Sequence, residues 1–130
     1  MAQVPSGDGF TDAQMRDIER VVSAASERTG LNFSLYIGGA DGDIRDAAEK
    51  LHASLGDKAS RSVLVVLDPG DRLLEIVTGE ESARRLSDRA CALAALSMTT
   101  AFAGGALTNG IVTGMLMLAE AAGEPPPDPE

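Results

Sequence analysis

Aromatic residues and cysteine are scarce in this chain. It has no tryptophan, three phenylalanines, one tyrosine and a single cysteine among its 130 residues. With so few aromatic side chains, the core must be built from leucine, valine, isoleucine, alanine and methionine. One cysteine excludes an internal disulfide bond, so nothing in the sequence requires an oxidising compartment. The length and the hydrophobic content of 44% are those of one globular domain.

Basic residues are also few. The 11 lysines and arginines are outnumbered by 20 aspartates and glutamates, which gives a net charge of −9 at pH 7. Nucleic acids and anionic membranes are recognised by basic patches, so the composition argues against both as partners. The first ten residues have neither the basic nor the apolar segment of a secretion signal. We therefore expect a soluble, cytoplasmic protein whose partner is another protein.

One long stretch carries no charge of either sign. No Asp, Glu, Lys or Arg lies between Arg89 and Glu120, and the stretch is long enough to span a bilayer. A Gly-Gly pair interrupts it near the middle, and serines, threonines and an asparagine are scattered through it. Two buried helices fit this composition better than one span, so we expect no membrane insertion. Gly110 and Gly114, four residues apart, are typical of close helix packing.

The clearest secondary-structure pattern is a hairpin in the middle of the chain. An uninterrupted aliphatic run at 63–67 predicts a strand buried on both faces. Residues 68–71, with the sequence Asp-Pro-Gly-Asp, then reverse the chain, and Gly70 is expected at the positive φ of a type II turn. A second strand at 72–78 returns antiparallel to the first, and Glu75 within it is expected to face solvent.

Helices and one more strand precede this hairpin. Thr11 and Gln14 have the spacing of a capping box and begin a helix, which ends at Gly30. Alternating apolar and polar residues predict a half-buried strand at 31–37, and a second helix follows up to Gly56. Because a strand, a helix and a strand of these lengths form a βαβ unit, the first strand and the buried strand of the hairpin should be parallel.

The order of elements predicts an α/β fold. A polar turn with one short helical turn follows the hairpin, and two helices reach about Phe102 and Ala122. We expect a three-layer α/β/α sandwich with a small mixed sheet, one βαβ unit, an antiparallel hairpin and helices on both faces. The predicted organisation is a flexible tail at 1–10, a single domain at 11–122 and a proline-rich disordered tail at 123–130.

Four aspartates follow the two strands that are predicted to be parallel. Asp41 and Asp43 come after the first strand, and Asp68 and Asp71 come after the second. The carboxyl ends of parallel strands lie at one edge of a sheet, where α/β folds bind ligands. Clustered carboxylates on glycine-containing loops suit calcium or magnesium, so these four are the candidate metal ligands. The alternative is that they are turn and cap residues, roles that aspartate often has.

Other titratable residues are expected to be structural. Glu80, Glu81 and Asp88 form a second acidic group, placed where helix N-termini favour negative charge. His52, the only histidine, has no orienting partner nearby and is expected on the flank of a helix. Cys91 lies in an apolar helix and is expected to be a small buried residue.

Four stretches, in this order and spacing, resemble a known family. They are Thr29-Gly30-Leu31, Val63-Leu64-Val65-Val66 with the turn after it, Leu74-Glu75-Ile76-Val77-Thr78-Gly79, and Leu86-Ser87-Asp88 followed by Phe102-Ala103-Gly104-Gly105-Ala106 and Gly110-Ile111-Val112-Thr113-Gly114. The family is the TPM domain family, named after a thylakoid lumen phosphatase, a photosystem repair protein and the MOLO proteins. The resemblance covers about residues 15–122, and the chain looks most like a soluble actinobacterial branch of that family.

This resemblance implies two activities that the chain itself calls into question. Acid phosphatase activity and calcium binding are found among TPM relatives, many of which carry a Gly-aromatic-Gly-Leu-Glu-Gly run after the third strand. Here only Gly79 matches that run, and residues 80–84 replace the rest. We therefore expect a non-catalytic interaction module that binds a protein. The alternative is a divalent-metal-dependent, phosphatase-like hydrolase that uses the acidic edge of the sheet.

Overall fold

The computed structural model of the chain describes residues 2–3, 10–39 and 42–125. Strands and α-helices alternate as far as the third strand, which follows a 3-10 helix. A fourth strand and three α-helices complete the described part of the chain. In chain order the elements are β1 (Ala2–Gln3), α1 (Asp12–Thr29), β2 (Asn32–Ile37), α2 (Ile44–Ala53), the 3-10 helix (Gly56–Arg61), β3 (Ser62–Asp68), β4 (Leu73–Thr78), α3 (Glu80–Ala83), α4 (Asp88–Ala103) and α5 (Leu107–Ala122).

The strands form one four-stranded sheet in the order β1-β2-β3-β4. β1, β2 and β3 run parallel to each other, and β4 is antiparallel to β3. β2, α2 and β3 therefore form the predicted βαβ unit, and β3 and β4 form the predicted hairpin. With helices on both faces of this mixed sheet, the prediction of a three-layer α/β/α sandwich is confirmed.

The two faces of the sheet bury cores of very different size. Successive side chains of a strand point to opposite faces, so each strand contributes to both cores. On one face, which we call the thick face, α1, α4 and α5 cover Phe33, Leu35, Ile37, Val63, Val65 and Leu67. On the other, which we call the thin face, α2 alone forms the layer, and the buried cluster consists of Ala48, Leu64, Val66 and Val77.

The helices α4 and α5 approach each other closely on the thick face. A Cβ atom built at Gly110 would lie only 2.5 Å from the Cβ of Ala101 on α4. A Cβ built at Gly114 would lie 2.5 Å from Cγ of Met98. Both glycines therefore let the two helix backbones approach where any side chain would separate them. The predicted packing role of this glycine pair is confirmed.

The turn between β3 and β4 differs from the prediction. Gly70 does not have a positive φ, and the left-handed residue is instead Arg72, with φ of 56°. Because Asp68 pairs with Leu73, four residues connect the strands. A four-residue connection built on a type I turn places its left-handed residue at the end of the loop, whereas a type II turn places it at the second central position. The Pro-Gly pair is compatible with both turn types. The pairing of Asp68 with Leu73 leaves four residues in the loop, and this length selects the type I turn.

The N-terminal tail is not entirely free. Ala2 and Gln3 pair with Leu35 and Tyr36 to form β1, so the expectation of a flexible tail at 1–10 does not hold for these two residues. Without β1 the edge of β2 would present unpaired N–H and C=O groups. At the other end of the chain, the part of the predicted proline-rich tail at 126–130 lies outside the described residues. Within the described part, no helix is both long and apolar enough to cross a bilayer.

Candidate functional site

Asp43, one of the four candidate metal ligands, has a helix-capping role. It is the N-cap of α2, and its Oδ1 accepts hydrogen bonds from the backbone N–H groups of Arg45 at 2.7 Å and Asp46 at 3.3 Å. A carboxylate in this position satisfies N–H groups that have no partner within the helix. Asp41 lies outside the described residues, so its place relative to Asp43 stays a prediction.

The other two candidates are brought together by the hairpin turn. Asp68 ends β3 with only 5% of its surface exposed. Its Oδ1 accepts a hydrogen bond from the backbone N–H of Asp71, three residues on, at 3.2 Å, so the carboxylate stabilises the turn. Within residues 2–3, 10–39 and 42–125, no group of three or more His, Cys, Asp and Glu side chains is arranged to hold a metal ion. The metal site that includes Asp41 remains a prediction from the sequence.

The second acidic group lies in the first turns of two helices, as expected. Glu80 and Glu81 are in the first turn of α3, and Asp88 is in the first turn of α4. Glu80 also pairs with Arg84 at 3.3 Å, and both side chains are well exposed. The positive end of a helix dipole favours negative charge in such positions. These carboxylates therefore stabilise helix ends and do not converge on a common centre.

The histidine and the cysteine have no catalytic geometry. His52 Nε2 lies 3.4 Å from the backbone carbonyl oxygen of Ser62. Cys91 is half-buried in α4, and burial, followed by the nearby carboxylate of Asp88, raises the pKa of its thiol. A raised pKa keeps the sulfur protonated, and the protonated form is a poor nucleophile.

A buried polar network joins the start of β3 to the elements around it. Ser82 Oγ accepts a hydrogen bond from the N–H of Gly79 at 2.8 Å and donates one to the carbonyl of Ser62 at 2.8 Å. Ser62 Oγ donates to the carbonyl of Lys58 at 2.6 Å and accepts from the Asn32 amide at 2.8 Å. These hydroxyls are occupied by backbone groups and by the Asn32 amide, so the network connects β2, β3, α3 and the 3-10 helix.

One arginine joins the C-terminal ends of two helices. Arg85 donates hydrogen bonds to the carbonyl oxygens of Thr29 at 2.6 Å, Ala122 at 3.1 Å and Gly123 at 2.7 Å. These carbonyls lie at the ends of α1 and α5, where the helix dipole favours a cation. The sequence does not reveal this contact. Two of its acceptors belong to Thr29 and Gly123, which lie 56 and 38 positions from Arg85 in the chain.

A groove lies on the thin face between β2 and α2. Helix α2 packs over β3 and β4, so the face of β2 beside it is left partly uncovered. A cavity of about 150 Å³ lies there. Its lining residues are Asn32, Ser34, Leu35, Tyr36, Leu51, Ser54, Leu55, Lys58 and Leu64. The walls are mostly apolar, with hydroxyl groups from a strand on one side and a helix end on the other.

A second, more open depression continues the first along α2. It shares Tyr36 and Leu51 with the cavity and has a volume of about 470 Å³. Its other lining residues are Gly39, Gly42, Asp43, Asp46, Ala47, Lys50 and Val66. The two together form an elongated channel parallel to β2, which we call the β2–α2 groove. An elongated shape favours an extended ligand over a compact one.

The charges of the groove are unevenly distributed. Lys50 and Lys58 are the only lysines of the chain, and both line the groove. Lys58 is the one charged side chain at its end of the groove. Lys50 at the other end is accompanied by Asp43 and Asp46. In a chain with a net charge of −9, the Lys58 end is therefore a local positive site, and the opposite end is net negative.

Comparison with known protein families gives one match. The model of the family described as "Domain of unknown function (DUF5130)" matches residues 1–119, which is most of the chain. The chain belongs to this family. No curated protein matches it.

Solved structures from three bacteria share the fold of this DUF5130 domain. The BA42 protein of the psychrophilic bacterium Bizionia argentinensis superposes with a TM-score of 0.79 at 17% identity, over 91% of this chain and 84% of that chain. The N-terminal domain of a protein from P. gingivalis gives 0.78 at 19% identity, over 92% and 80%. The N-terminal domain of the cg2496 protein from Corynebacterium glutamicum gives 0.76 at 11%, over 93% and 78%. At these identities the likeness shows the fold alone.

The β2–α2 groove of this DUF5130 domain could not be found from motifs. The alternation at 31–37 places Ser34 and Tyr36 on one face of β2, and this was the only available signal. The groove arises because α2 lies over β3 and β4 and not over β2. That offset depends on the lengths of the two loops and on the pairing of Arg45 with Glu75 across 30 residues of sequence.

Proposed function

We propose that this DUF5130 domain is a non-catalytic binding module that holds an extended peptide segment of a protein partner in the β2–α2 groove. The observation that carries the proposal is the incomplete cover of the sheet. Ser34 and Tyr36 of β2 face a channel lined by Leu51 and Leu55 of the helical side. Concave, mostly apolar sites with a few polar groups are the usual form of ligand sites in proteins.

The dimensions of the groove suggest the length of the peptide. β2 has 6 residues and flanks the groove along its length. At about 3.3 Å per residue, an extended peptide of roughly six residues spans the same distance. The middle of the groove, where Tyr36 and Leu51 belong to both depressions, suits apolar side chains.

The charges of the groove suggest the chemistry of the peptide ends. Lys58 favours an acidic residue or a carboxylate at its end. Asp43 and Asp46 favour a basic residue or an amine at the other end, beside Lys50. Complementary charges at both ends would fix the direction of the peptide as well as add affinity. The ligand is therefore an apolar segment with opposite charges at its two ends.

The contacts of the potential nucleophiles support binding over catalysis. Ser62 and Ser82 use their hydroxyls to hold backbone carbonyls. The His52 ring faces a carbonyl oxygen, and the thiol of Cys91 is kept neutral by its raised pKa. An activated nucleophile requires a base within hydrogen-bond reach, and these side chains are engaged otherwise.

Two further expectations belong to this proposal. The unpaired, neutral thiol of Cys91 supports a cytoplasmic location, where thiols stay reduced. The order of helices and strands supports the likeness to TPM domains and, with it, the alternative of a metal-dependent hydrolase at the acidic edge. Hydrolysis of a phosphomonoester in calcium, magnesium or manganese, lost in Asp68→Ala, would favour the hydrolase over the binding module.

Peptide binding tests the proposal directly. The probe is a fluorescein-labelled hexapeptide with a basic first residue, four apolar residues and an acidic last residue, and its uncharged analogue is the comparison. We expect saturable binding of the charged peptide in fluorescence polarisation, and amide shift changes at Ser34, Tyr36 and Leu51 in ¹⁵N spectra. Lys58→Glu should weaken binding by about tenfold, the order of one partly screened charge-assisted contact.

A matched variant separates the groove from the general charge of the protein. Arg61→Glu makes the same charge change in the same 3-10 helix, at an exposed residue that does not line the groove. It should leave the affinity unchanged to within about twofold, since exposed charges outside the site are largely screened. Equal weakening by both variants, or no binding at about 1 mM peptide, would reject the groove as the binding site.

A further inference from the structure

Between Arg89 and Glu120, the outward surface of α4 and α5 is uncharged. Residues 90–119 contain no Asp, Glu, Lys or Arg, although these residues make up 24% of the chain. The exposed residues of this segment that lie on the two helices are Ala92, Leu93, Leu96, Thr100, Ala103, Asn109, Thr113 and Leu116. We call this surface the α4–α5 face. A solvent-facing surface of two helices normally carries charged side chains along its length, so a stretch of 30 residues without any requires an explanation.

The same surface carries most of the exposed large apolar side chains. Across residues 10–39 and 42–125, the exposed large hydrophobic residues are Leu73, Leu93, Leu96 and Leu116. Three of them lie on the α4–α5 face, with 49%, 62% and 49% of their surfaces exposed. Gly110 and Gly114 hold the two helices close together, so their outward sides form one continuous layer. Leucines gathered on an uncharged layer mark an interaction surface.

We infer that the α4–α5 face is the contact surface of a homodimer. A contact related by two-fold symmetry brings a surface against its own copy, so any net charge on that surface meets the same charge. The whole net charge of −9 lies outside residues 90–119, and this part of the chain would repel the same part of a second copy. Within residues 90–119 the α4–α5 face brings no carboxylate to the contact, and Glu120 lies at its end, one helical turn after Leu116.

A membrane surface fits this face less well than a second copy. Helices that lie on membranes carry lysines and arginines along the polar border of an apolar face. The segment between Arg89 and Glu120 has no basic residue, and Glu120 and Glu124 follow it. An anionic bilayer would also repel a chain with a net charge of −9.

The size of the face predicts a weak dimer. Each helix has 16 residues and is therefore about 24 Å long. Two adjacent helices spaced by about 10 Å form a face roughly 20 Å wide, so each copy would bury about 500 Å². The total of about 1,000 Å² lies at the lower limit for specific interfaces. A dissociation constant of tens to hundreds of micromolar is the expected range for such a contact.

Sedimentation velocity of the full chain over about 5 to 500 µM tests the inference. The mean mass should rise towards that of a dimer, and the rise should be larger in 500 mM than in 50 mM NaCl, because salt screens the repulsion between acidic copies. The double variant Leu93→Lys/Leu96→Lys should remain monomeric over the whole range. Leu73→Lys is the matched control, because Leu73 is 42% exposed but lies on β4, and it should dimerise like the unchanged protein.

A measurement on the unchanged protein does not depend on the variants. On dilution, the amide signals of Leu93, Leu96 and Leu116 should move, and those of the β2–α2 groove should not. A mass that stays monomeric at 500 µM would overturn the inference, and so would equal loss of association in Leu73→Lys. Sedimentation with phosphatidylcholine–phosphatidylglycerol vesicles that is lost in the double variant, without any self-association, would assign the face to membranes and would also overturn it.

Discussion

The thick and thin faces of the sheet divide stability and binding between them. On the thick face, three helices cover the sheet, and the buried cluster includes Phe33, Met98 and Ile111. On the thin face, one helix of 10 residues covers part of the sheet, and the groove lies beside it. The hydrophobic contribution to folding is proportional to the apolar area buried, so the thick face supplies most of it. The thin face can therefore leave apolar surface open for a ligand without loss of the fold.

The largest expected effect compares two leucines of the same strand. Leu67 of β3 points to the thick face and Leu64 to the thin face, and both are buried. Leu67→Ala should lower the free energy of unfolding by about 4 kcal/mol, because a densely packed core relaxes little around the cavity. Leu64→Ala should lower it by about 2 kcal/mol, because the neighbouring groove already admits water. Urea denaturation measures both, and equal losses would contradict the division between the faces.

The arginine that joins the helices of the thick face should have the next largest effect. Arg85→Met keeps the length of the side chain but removes three hydrogen bonds to carbonyls at the ends of α1 and α5. We expect a loss of about 2–3 kcal/mol, since the carbonyls lose a charged donor. Arg84→Met is the control, because Arg84 forms only an exposed pair with Glu80. It should change stability by less than about 0.5 kcal/mol.

The hairpin turn keeps β3 and β4 aligned and so determines which side chains reach each face. Arg72 has φ of 56°, and a β-branched residue in that conformation is strained. Arg72→Val should therefore cost about 1–2 kcal/mol. Gly70→Ala should stay within about 0.5 kcal/mol, because Gly70 does not use a positive φ. The melting temperatures of the two variants decide the turn type. A lower value for Arg72→Val supports the left-handed Arg72, whereas a lower value for Gly70→Ala would support the type II turn.

The arginine of the thin face should matter much less than that of the thick face. Arg45 of α2 bonds Glu75 at 3.1 Å and the carbonyl of Ile76 at 3.3 Å, and its side chain is 48% exposed. Solvent screens such a pair, so Arg45→Met should cost about 0.5 kcal/mol. A loss as large as that of Arg85→Met would show that α2 is fixed as firmly as the helices of the thick face.

Local patterns predicted the elements of this fold, and contacts between distant residues escaped prediction. The capping box of Thr11 and Gln14 is confirmed, with hydrogen bonds of 2.9 and 3.1 Å, because both partners lie within one turn of the chain. The aliphatic run of β3 is buried along its whole length, as its composition indicates. The contacts of Arg85 and the shape of the β2–α2 groove depend on how elements distant in sequence pack against each other. A single sequence carries no direct signal for such packing.

The smallest expected effect concerns the acidic edge, where α2 begins. The carboxylate of Asp43 accepts two backbone N–H groups, and that of Asp68 accepts one. If the two serve as cap and turn residues, calcium should raise stability by less than about 0.5 kcal/mol over sodium chloride of the same ionic strength. If the edge binds a divalent cation together with Asp41 and Asp71, calcium at ~100 times its dissociation constant should add about 2.7 kcal/mol.

Thermal unfolding in millimolar calcium distinguishes these two outcomes, with Asp43→Asn as the decisive variant. Asparagine caps a helix about as well as aspartate, so this change removes the charge and leaves the start of α2 intact. We expect the curves in the two salts to coincide for both proteins. A calcium-specific rise that Asp43→Asn abolishes would contradict this and would place a functional site at the carboxyl edge of the sheet. That edge lies beyond the Asp43 end of the β2–α2 groove, so bound calcium would also weaken a peptide whose basic end lies there.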